Sequence, residues 1–223
     1  MSQDIWTAVD QYITDILVPS DPALEAALQA SKDAGLPAIH VAPNQGKLLQ
    51  LFARMQKAGR ILEVGTLGGY STIWLARALP ADGRLVTIEL DPKHAEVARA
   101  NFERAGLSGL IDLRIGPAAD VLGRLKAEKE GPFDLVFIDA DKQGTTAYFK
   151  LALQLSRPGT VIIVDNVIRS GAVVDEDSAD PRVQGIRRFN EAVAAESRVT
   201  ATAIQTVGSK GYDGLAIVLV TAS

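Results

Sequence analysis

The chain has 223 residues, 47% of them hydrophobic, and a formal net charge of −4. That is enough for one α/β domain with a sizeable core, and it argues against nucleic-acid binding through a broad basic surface. There is no cysteine, which excludes disulfides, thiolate metal sites and a cysteine nucleophile and leaves the chemistry to oxygen and nitrogen groups.

In chain order, Ile5, Val9, Ile13, Ile16 and Leu17 recur at helical spacing. The pattern breaks at Pro19-Ser20-Asp21-Pro22, where a capping residue and a proline start a second helix with Leu24, Ala27 and Leu28 on its apolar side. Gly35-Leu36-Pro37 ends that helix. Asn44 is expected to cap a third, whose Leu48, Leu49, Leu51, Phe52 and Met55 make a broad apolar face. These helices, over residues 1–58, are expected to cover one edge of a sheet or to make a dimer contact. With Asp4 and Asp10 in its opening turns, the N-terminus lacks the basic region and apolar core of a signal peptide. No apolar run approaches the roughly 20 residues of a membrane span, so a cytoplasmic protein with no membrane partner is expected.

From Ile61 the pattern alternates. Ile61–Val64, Leu85–Leu90, Ile111–Ile115, Phe133–Asp139 and Thr160–Asp165 read as strands. Helical segments lie between them near Ser71–Leu79, Pro92–Ala105, Ala118–Glu128 and Thr145–Leu155. Such alternation predicts βα units and a mostly parallel sheet covered on both faces, over residues 59–223 of a single domain spanning 1–223. The style then changes: a helix near Val183–Ala195 leads to Val199–Thr206, a glycine-rich link over Gly208-Ser209-Lys210-Gly211, and Leu215–Val220, which predicts an antiparallel hairpin at one edge. Val167–Asp180 is a long irregular piece carrying Asp175, Glu176, Asp177 and Asp180; it reads as a solvated acidic loop or as a lid.

The chemistry gathers at the strand ends, where ligands of open parallel sheets bind. Gly65, Gly68 and Gly69 follow the first strand and lead into a helix. Glycines there let main chain pass close to a ligand, and the helix points free N–H groups at the same place, although a tight strand-to-helix turn needs no ligand to explain it. The run is not a dinucleotide fingerprint, since Leu67 and Tyr70 stand where G-x-G-x-x-G needs glycine. Glu89 closes the second strand 24 positions after Gly65, close to the spacing at which an acid meets ribose hydroxyls. Asp139, Asp165 and Asn166 end two further strands. Each alone is explained as a turn cap, but three convergent hard oxygen donors suit Mg²⁺ or Ca²⁺, with positions left for a vicinal diol. Lys142, beside such a cation, would have its ammonium form disfavoured and could take a proton from a hydroxyl.

These residues carry a resemblance. Val41-Ala42-Pro43-Asn44-Gln45-Gly46-Lys47, LEVGTLGGYS, TIELDPKHA, Asp139-Ala140-Asp141-Lys142, Asp165-Asn166 and Tyr212-Asp213-Gly214-Leu215 make the chain similar to the cation-dependent O-methyltransferases that use S-adenosylmethionine, the family of caffeoyl-CoA and catechol O-methyltransferases. The resemblance implies a Rossmann-like doubly wound fold, a homodimer and methyl transfer to a hydroxyl of a catechol-like aromatic diol. It implies that Gly65 and Thr66 border the methionine part of the cofactor, that Glu63 and Ser71 help hold its amino acid end, and that Val41 lies near that end. Glu89 would hold the ribose, and Ala118, with the backbone around Gly116, would border the adenine. Asp139, Asp165 and Asn166 would bind the metal, usually Mg²⁺, Lys142 would be the general base, and Asp139 would also face the cofactor. Asp141 departs from the aromatic residue that precedes the base lysine in the animal catechol enzymes, and Ala118 and Ala119 depart from their serine and glutamine; the Asp-Ala-Asp-Lys form matches the plant and bacterial branch, which leaves the acceptor open. Two other classes stand beside this reading, a nicotinamide-dependent oxidoreductase and a nonenzymatic cofactor-binding protein.

Overall fold

A computed structural model describes residues 2–19 and 21–223. The chain forms eight α-helices and seven strands among the described residues. Three helices come first: α1 (Gln3–Leu17), α2 (Pro22–Asp33) and α3 (Pro43–Met55). Alternating units follow: β1 (Arg60–Val64), α4 (Tyr70–Ala76), β2 (Arg84–Glu89), α5 (Pro92–Arg104), β3 (Ile111–Ile115), α6 (Ala118–Ala127), β4 (Phe133–Ile138), α7 (Thr145–Gln154) and β5 (Ser156–Asp165). Then come α8 (Pro181–Ala194), β6 (Val199–Gly208) and β7 (Gly211–Val220).

The strands make one sheet in the order β3-β2-β1-β4-β5-β7-β6. β1 to β5 run parallel, and β7 is antiparallel to both β5 and β6. This is the expected doubly wound sheet with its hairpin at one edge. The hairpin strands are longer than the apolar runs suggested, because Gly208 pairs with Gly211 and only Ser209 and Lys210 form the turn.

Period-two alternation sends successive strand residues to opposite faces. Ile61, Leu85, Leu135, Phe137 and Ile163 pack under Leu24, Leu49, Ile73, Trp74 and Phe102 of α2 to α5. Their neighbours Leu62, Val86, Val136, Ile138 and Ile162 pack under Leu122, Phe149, Ile186 and Phe189 of α6 to α8. Three helices start with the same pair of residues. Asp21, Asp91 and Asp180 each accept hydrogen bonds from the first-turn amides of α2, α5 and α8, and a proline follows each aspartate. The aspartate satisfies orphan N–H groups, and the proline sits where its missing donor costs nothing. Ser20, in the predicted cap region, lies outside the described residues.

Two expectations for α3 need correction, and α1 adds a finding of its own. Asn44 does not cap α3; Ala42 holds that position, and Asn44 lies inside the first turn, where its Oδ1 accepts from Gln45 N at 2.9 Å. On α3, Leu49 and Ala53 are buried whereas Leu51 and Met55 are exposed, so its buried face is narrower than the pattern suggested. On α1 the apolar stripe faces solvent: Ile5, Val9, Ile16 and Leu17 are exposed, and the residue buried is Asp10. Asp10 accepts from Asn44 Nδ2 at 2.9 Å and from Ser209 N at 2.7 Å. It therefore ties α1 to α3 and to the tip of the β6–β7 hairpin. No helix among the described residues is long and apolar enough to cross a membrane.

Interior helix glycines show which close approaches the fold needs. A β-carbon on Gly185 of α8 would lie 2.1 Å from the main-chain oxygen of Lys142, whereas one on Gly123 of α6 would meet nothing within 4 Å. Glycine costs a helix interior about 1 kcal/mol relative to alanine. Gly123→Ala should therefore raise stability by up to about 1 kcal/mol in urea unfolding, and Gly185→Ala should lower it by about 1–3 kcal/mol through overpacking.

Candidate active site

The carboxyl ends of β1, β2 and β4 open into a cavity of about 560 Å³, walled by α4, the start of α6 and the segment before α3. Its position follows from the topology. The strands on either side of β1 leave in opposite directions, and a crevice opens where they part.

Gly65 is the turning point. Its φ is +101°, and a β-carbon there would lie 2.0 Å from the main-chain oxygen of Asp139. With glycine the ends of β1 and β4 close up, and Asp139 N donates to Val64 O at 2.9 Å. Glu63, two residues back along β1, is fully buried. It accepts from the hydroxyls of Ser71 at 2.6 Å, of Thr87 at 2.7 Å and of Thr72. Burial pushes its carboxyl up to about 7 against the pull of those three donors. Glu63 does not line the cavity; Ser71 does. Glu63 thus acts on the cavity by orienting the first turn of α4.

Glu89 lines the cavity, and its carboxylate is a backbone anchor. Oε2 accepts from Thr66 N at 3.3 Å and Leu67 N at 2.7 Å, and Oε1 accepts from Leu90 N and Asp91 N, both at 2.9 Å. A carboxylate offers about four acceptor sites, so these four amides fix it in place. His94 stands alongside, with Nδ1 3.6 Å from Oε1.

The acid–base cluster comes from β4, the turn after it, and β5. Lys142 is buried, and its Nζ donates to Asp139 Oδ1 at 2.9 Å. Asp165 is also buried, its Oδ1 accepting from Asn166 N at 2.7 Å and its Oδ2 from Gln45 Nε2 at 2.6 Å. Burial, reinforced by the charge of Asp139, pushes the Asp165 carboxyl well above the usual carboxylate range. Asn166 has a φ of +60° and lines the cavity. The turn that follows is held by Asp213, whose Oδ1 accepts from Ile168 N, Arg169 N and Gly214 N at 2.9–3.0 Å. No group of three or more His, Cys, Asp or Glu side chains suited to a metal is found among the described residues. The donor set is instead two mutually repelling carboxylates and one amide, all hard oxygen ligands, and that chemistry fits a divalent cation of the Mg²⁺ class.

Of the residues singled out from the sequence, Val41, Gly65, Thr66, Ser71, Glu89, Ala118, Asp139, Lys142 and Asn166 line this cavity, and Glu63 and Asp165 stand directly behind it. Sequence reasoning missed His40, Gln45, His94 and Tyr148. His40 packs edge-on against Tyr70 with ring centroids 5.7 Å apart, and burial lowers its pKa. Tyr148 lines the cavity on the α6 side and donates its hydroxyl to Asp141, which also accepts from Gly144 N at 2.8 Å. Burial, together with that bond to Asp141, raises the phenol's pKa. The Asp141 that replaces an aromatic residue thus holds another aromatic in the cavity wall. The 167–180 segment contains a short 3-10 turn, Arg169–Val174, which α8 secures through Arg187 to Val173 O at 2.8 Å and Gln184 to Glu176 O at 2.9 Å.

A family model described as O-methyltransferase matches residues 18–219, and the chain belongs to that family. It is 56% identical over 220 residues to a catechol O-methyltransferase of Niastella koreensis, covering 99% of this chain and all of that one. An O-methyltransferase from Bacillus cereus, solved in complex with SAH, superposes with a TM-score of 0.97 at 59% identity, covering 99% of this chain and 100% of that chain. TomG from Streptomyces achromogenes, solved with SAM, gives 0.96 at 53% identity with both chains fully covered. The protein is therefore an S-adenosylmethionine-dependent O-methyltransferase, and the nicotinamide and nonenzymatic alternatives fall away.

The buried Glu63 makes a signed prediction. Its pKa is about 7 folded against 4.5 for the free group. A raised carboxyl means that the folded state holds a proton the unfolded state has released, so stability falls as pH rises from about 4.5 to about 7 and is flat beyond. Glu63→Gln should remove that part of the slope, at most about 3 kcal/mol, in denaturant titrations at pH 5 and pH 8. Identical slopes in the two proteins would contradict the burial argument.

Proposed function

We propose that the acceptor is a small aromatic molecule with two adjacent hydroxyls, that a divalent cation held by Asp139, Asp165 and Asn166 binds it, and that Lys142 is the general base. The observation that carries this reading is a buried lysine, a carboxylate and an amide on one cavity, with a second, buried carboxylate, that of Asp165, directly behind them. The name of the Niastella koreensis relative supports the catechol class. When bound, the cation would polarise the acceptor oxygen as a Lewis acid and fix its position; Mg²⁺ is the cation we assign.

The chain's own residues do the rest. Asp139 holds the Lys142 ammonium at 2.9 Å, so the lysine is aimed before substrate arrives. From that position Nζ is the group placed to take the hydroxyl proton. The turn over Gly65 and Thr66, with Val41 and Ser71, borders the methionine portion of S-adenosylmethionine, Glu63 setting Ser71. Glu89, anchored by four main-chain amides, fixes the turns that border the ribose, and Ala118, beside Gly116, borders the adenine. The methyl group passes from sulfur to the acceptor oxygen in one displacement, which needs no covalent enzyme intermediate and depends chiefly on orientation.

The exposed stripe of Ile5, Val9, Tyr12 and Ile16 on α1, with Met55 of α3, supports a homodimer; sedimentation that finds only monomer at micromolar concentration would contradict it. The acidic, cysteine-free composition supports a cytoplasmic setting, which fractionation of the source cells would check. Lys142→Ala should bind SAH within about twofold of wild type and lose at least about 10²-fold in kcat. A catechol should be methylated while its monohydroxy analogue is not. Near-normal turnover by the variant would refute the base assignment, and equal methylation of the two phenols would refute the diol.

A further inference from the structure

Gln45 was not among the residues that the sequence marked for chemistry, yet its amide lies 2.6 Å from Asp165 Oδ2 across 120 positions of chain. The amide can face a carboxylate only through its nitrogen, since its oxygen would set two acceptors against each other. The other carboxylate oxygen, Oδ1, is committed to Asn166 N at 2.7 Å. Asp165 is therefore gripped on both oxygens, from β5's own exit turn and from α3. The grip on the α3 side is itself braced. Gln45 N donates to Asn44 Oδ1 at 2.9 Å, Asn44 Nδ2 donates to Asp10 Oδ1 at 2.9 Å, and Asp10 Oδ2 takes Ser209 N at 2.7 Å. One continuous run of hydrogen bonds leads from the hairpin tip through α1 and α3 to Asp165.

We propose that Gln45 is the positioning residue for Asp165 as a metal ligand, holding its carboxylate in the rotamer that faces Asp139 and Asn166, with the Asp10–Asn44 pair as its brace. The inference rests on the reading of Asp165 as a ligand. A neutral donor suits this place. It fixes the carboxylate without adding a second positive charge to that of Lys142 on Asp139, whereas a lysine or arginine in place of Gln45 would compete with a cation for Asp165. Hydrogen-bond partners of metal ligands commonly contribute 10–100-fold to affinity. The arrangement also gives the buried Asp10 on an otherwise exposed helix face a function, since it secures the N-terminal cover to the metal side of the cavity.

The test uses Mn²⁺ binding to the full chain, read by electron paramagnetic resonance, with SAH affinity and thermal midpoint measured on the same samples. Gln45→Met keeps length and volume without the donor and should weaken Mn²⁺ about 10–100-fold, with SAH affinity within about twofold of wild type. Asn44→Ala, which removes only the brace, should give a smaller loss in the same direction, and it decides the matter if Gln45→Met fails to fold. Asp165→Asn separates the two layers of the argument. Mn²⁺ affinity lost in Asp165→Asn but unchanged in Gln45→Met, or in Asn44→Ala where that variant must decide, overturns the role of Gln45. Mn²⁺ affinity unchanged in Asp165→Asn overturns the ligand assignment on which it stands.

Discussion

The structure depends on the contact between Gly65 and the main chain of Asp139. Two parallel strands end there with so little room that a β-carbon would sit 2.0 Å from a carbonyl oxygen. Because β1 can end in a left-handed glycine, the turn into α4 lies against the end of β4. That single approach puts the turn over Gly65 and Thr66 and the ion pair of Asp139 and Lys142 on the same cavity. Any larger residue would push the strands apart, and the two halves of the site would lose their register.

Around that point the chain buries charge in a graded way. Glu63 and Asp165 are the most enclosed acids, and burial pushes both above the usual carboxylate range. Unpaired buried carboxylates are costly, and the two are handled differently. Glu63 is wrapped by three hydroxyl donors and serves the architecture of α4. Asp165 receives two neutral donors and faces a second carboxylate, an arrangement whose cost a cation would offset. The family's chemistry, transfer of a methyl group to oxygen, gives such a cluster a use.

Much of this was legible in the sequence, because strand ends and capping residues are local signals. The alternation from Ile61 to Asp165 pointed to the sheet, and the Asp21-Pro22 pair marked the start of α2. The polar residues closing the strands marked the cavity. What stayed hidden depended on contacts distant in sequence. Asp10 reads as one more surface acid on α1 until the hairpin tip, 199 positions away, is placed against it. Gln45 and Tyr148 carry no pattern that separates them from solvated neighbours. The exposed stripe on α1 has a core-like period, and only packing shows that α1 is held to the fold through Asp10 instead. Asn44 looked like a cap because its residue type favours caps, but Pro43 starts the helix one residue earlier.

The central claim is that acceptor and cation meet on Asp139, Asp165 and Asn166. It is tested most directly by following methyl transfer from S-adenosylmethionine to a catechol by mass, with Mg²⁺ and with a chelator, while SAH binding is measured under both conditions. The account predicts product that requires Mg²⁺ and SAH binding that does not. Product formed at equal rates in the chelator would contradict it and return those three residues to a purely structural role.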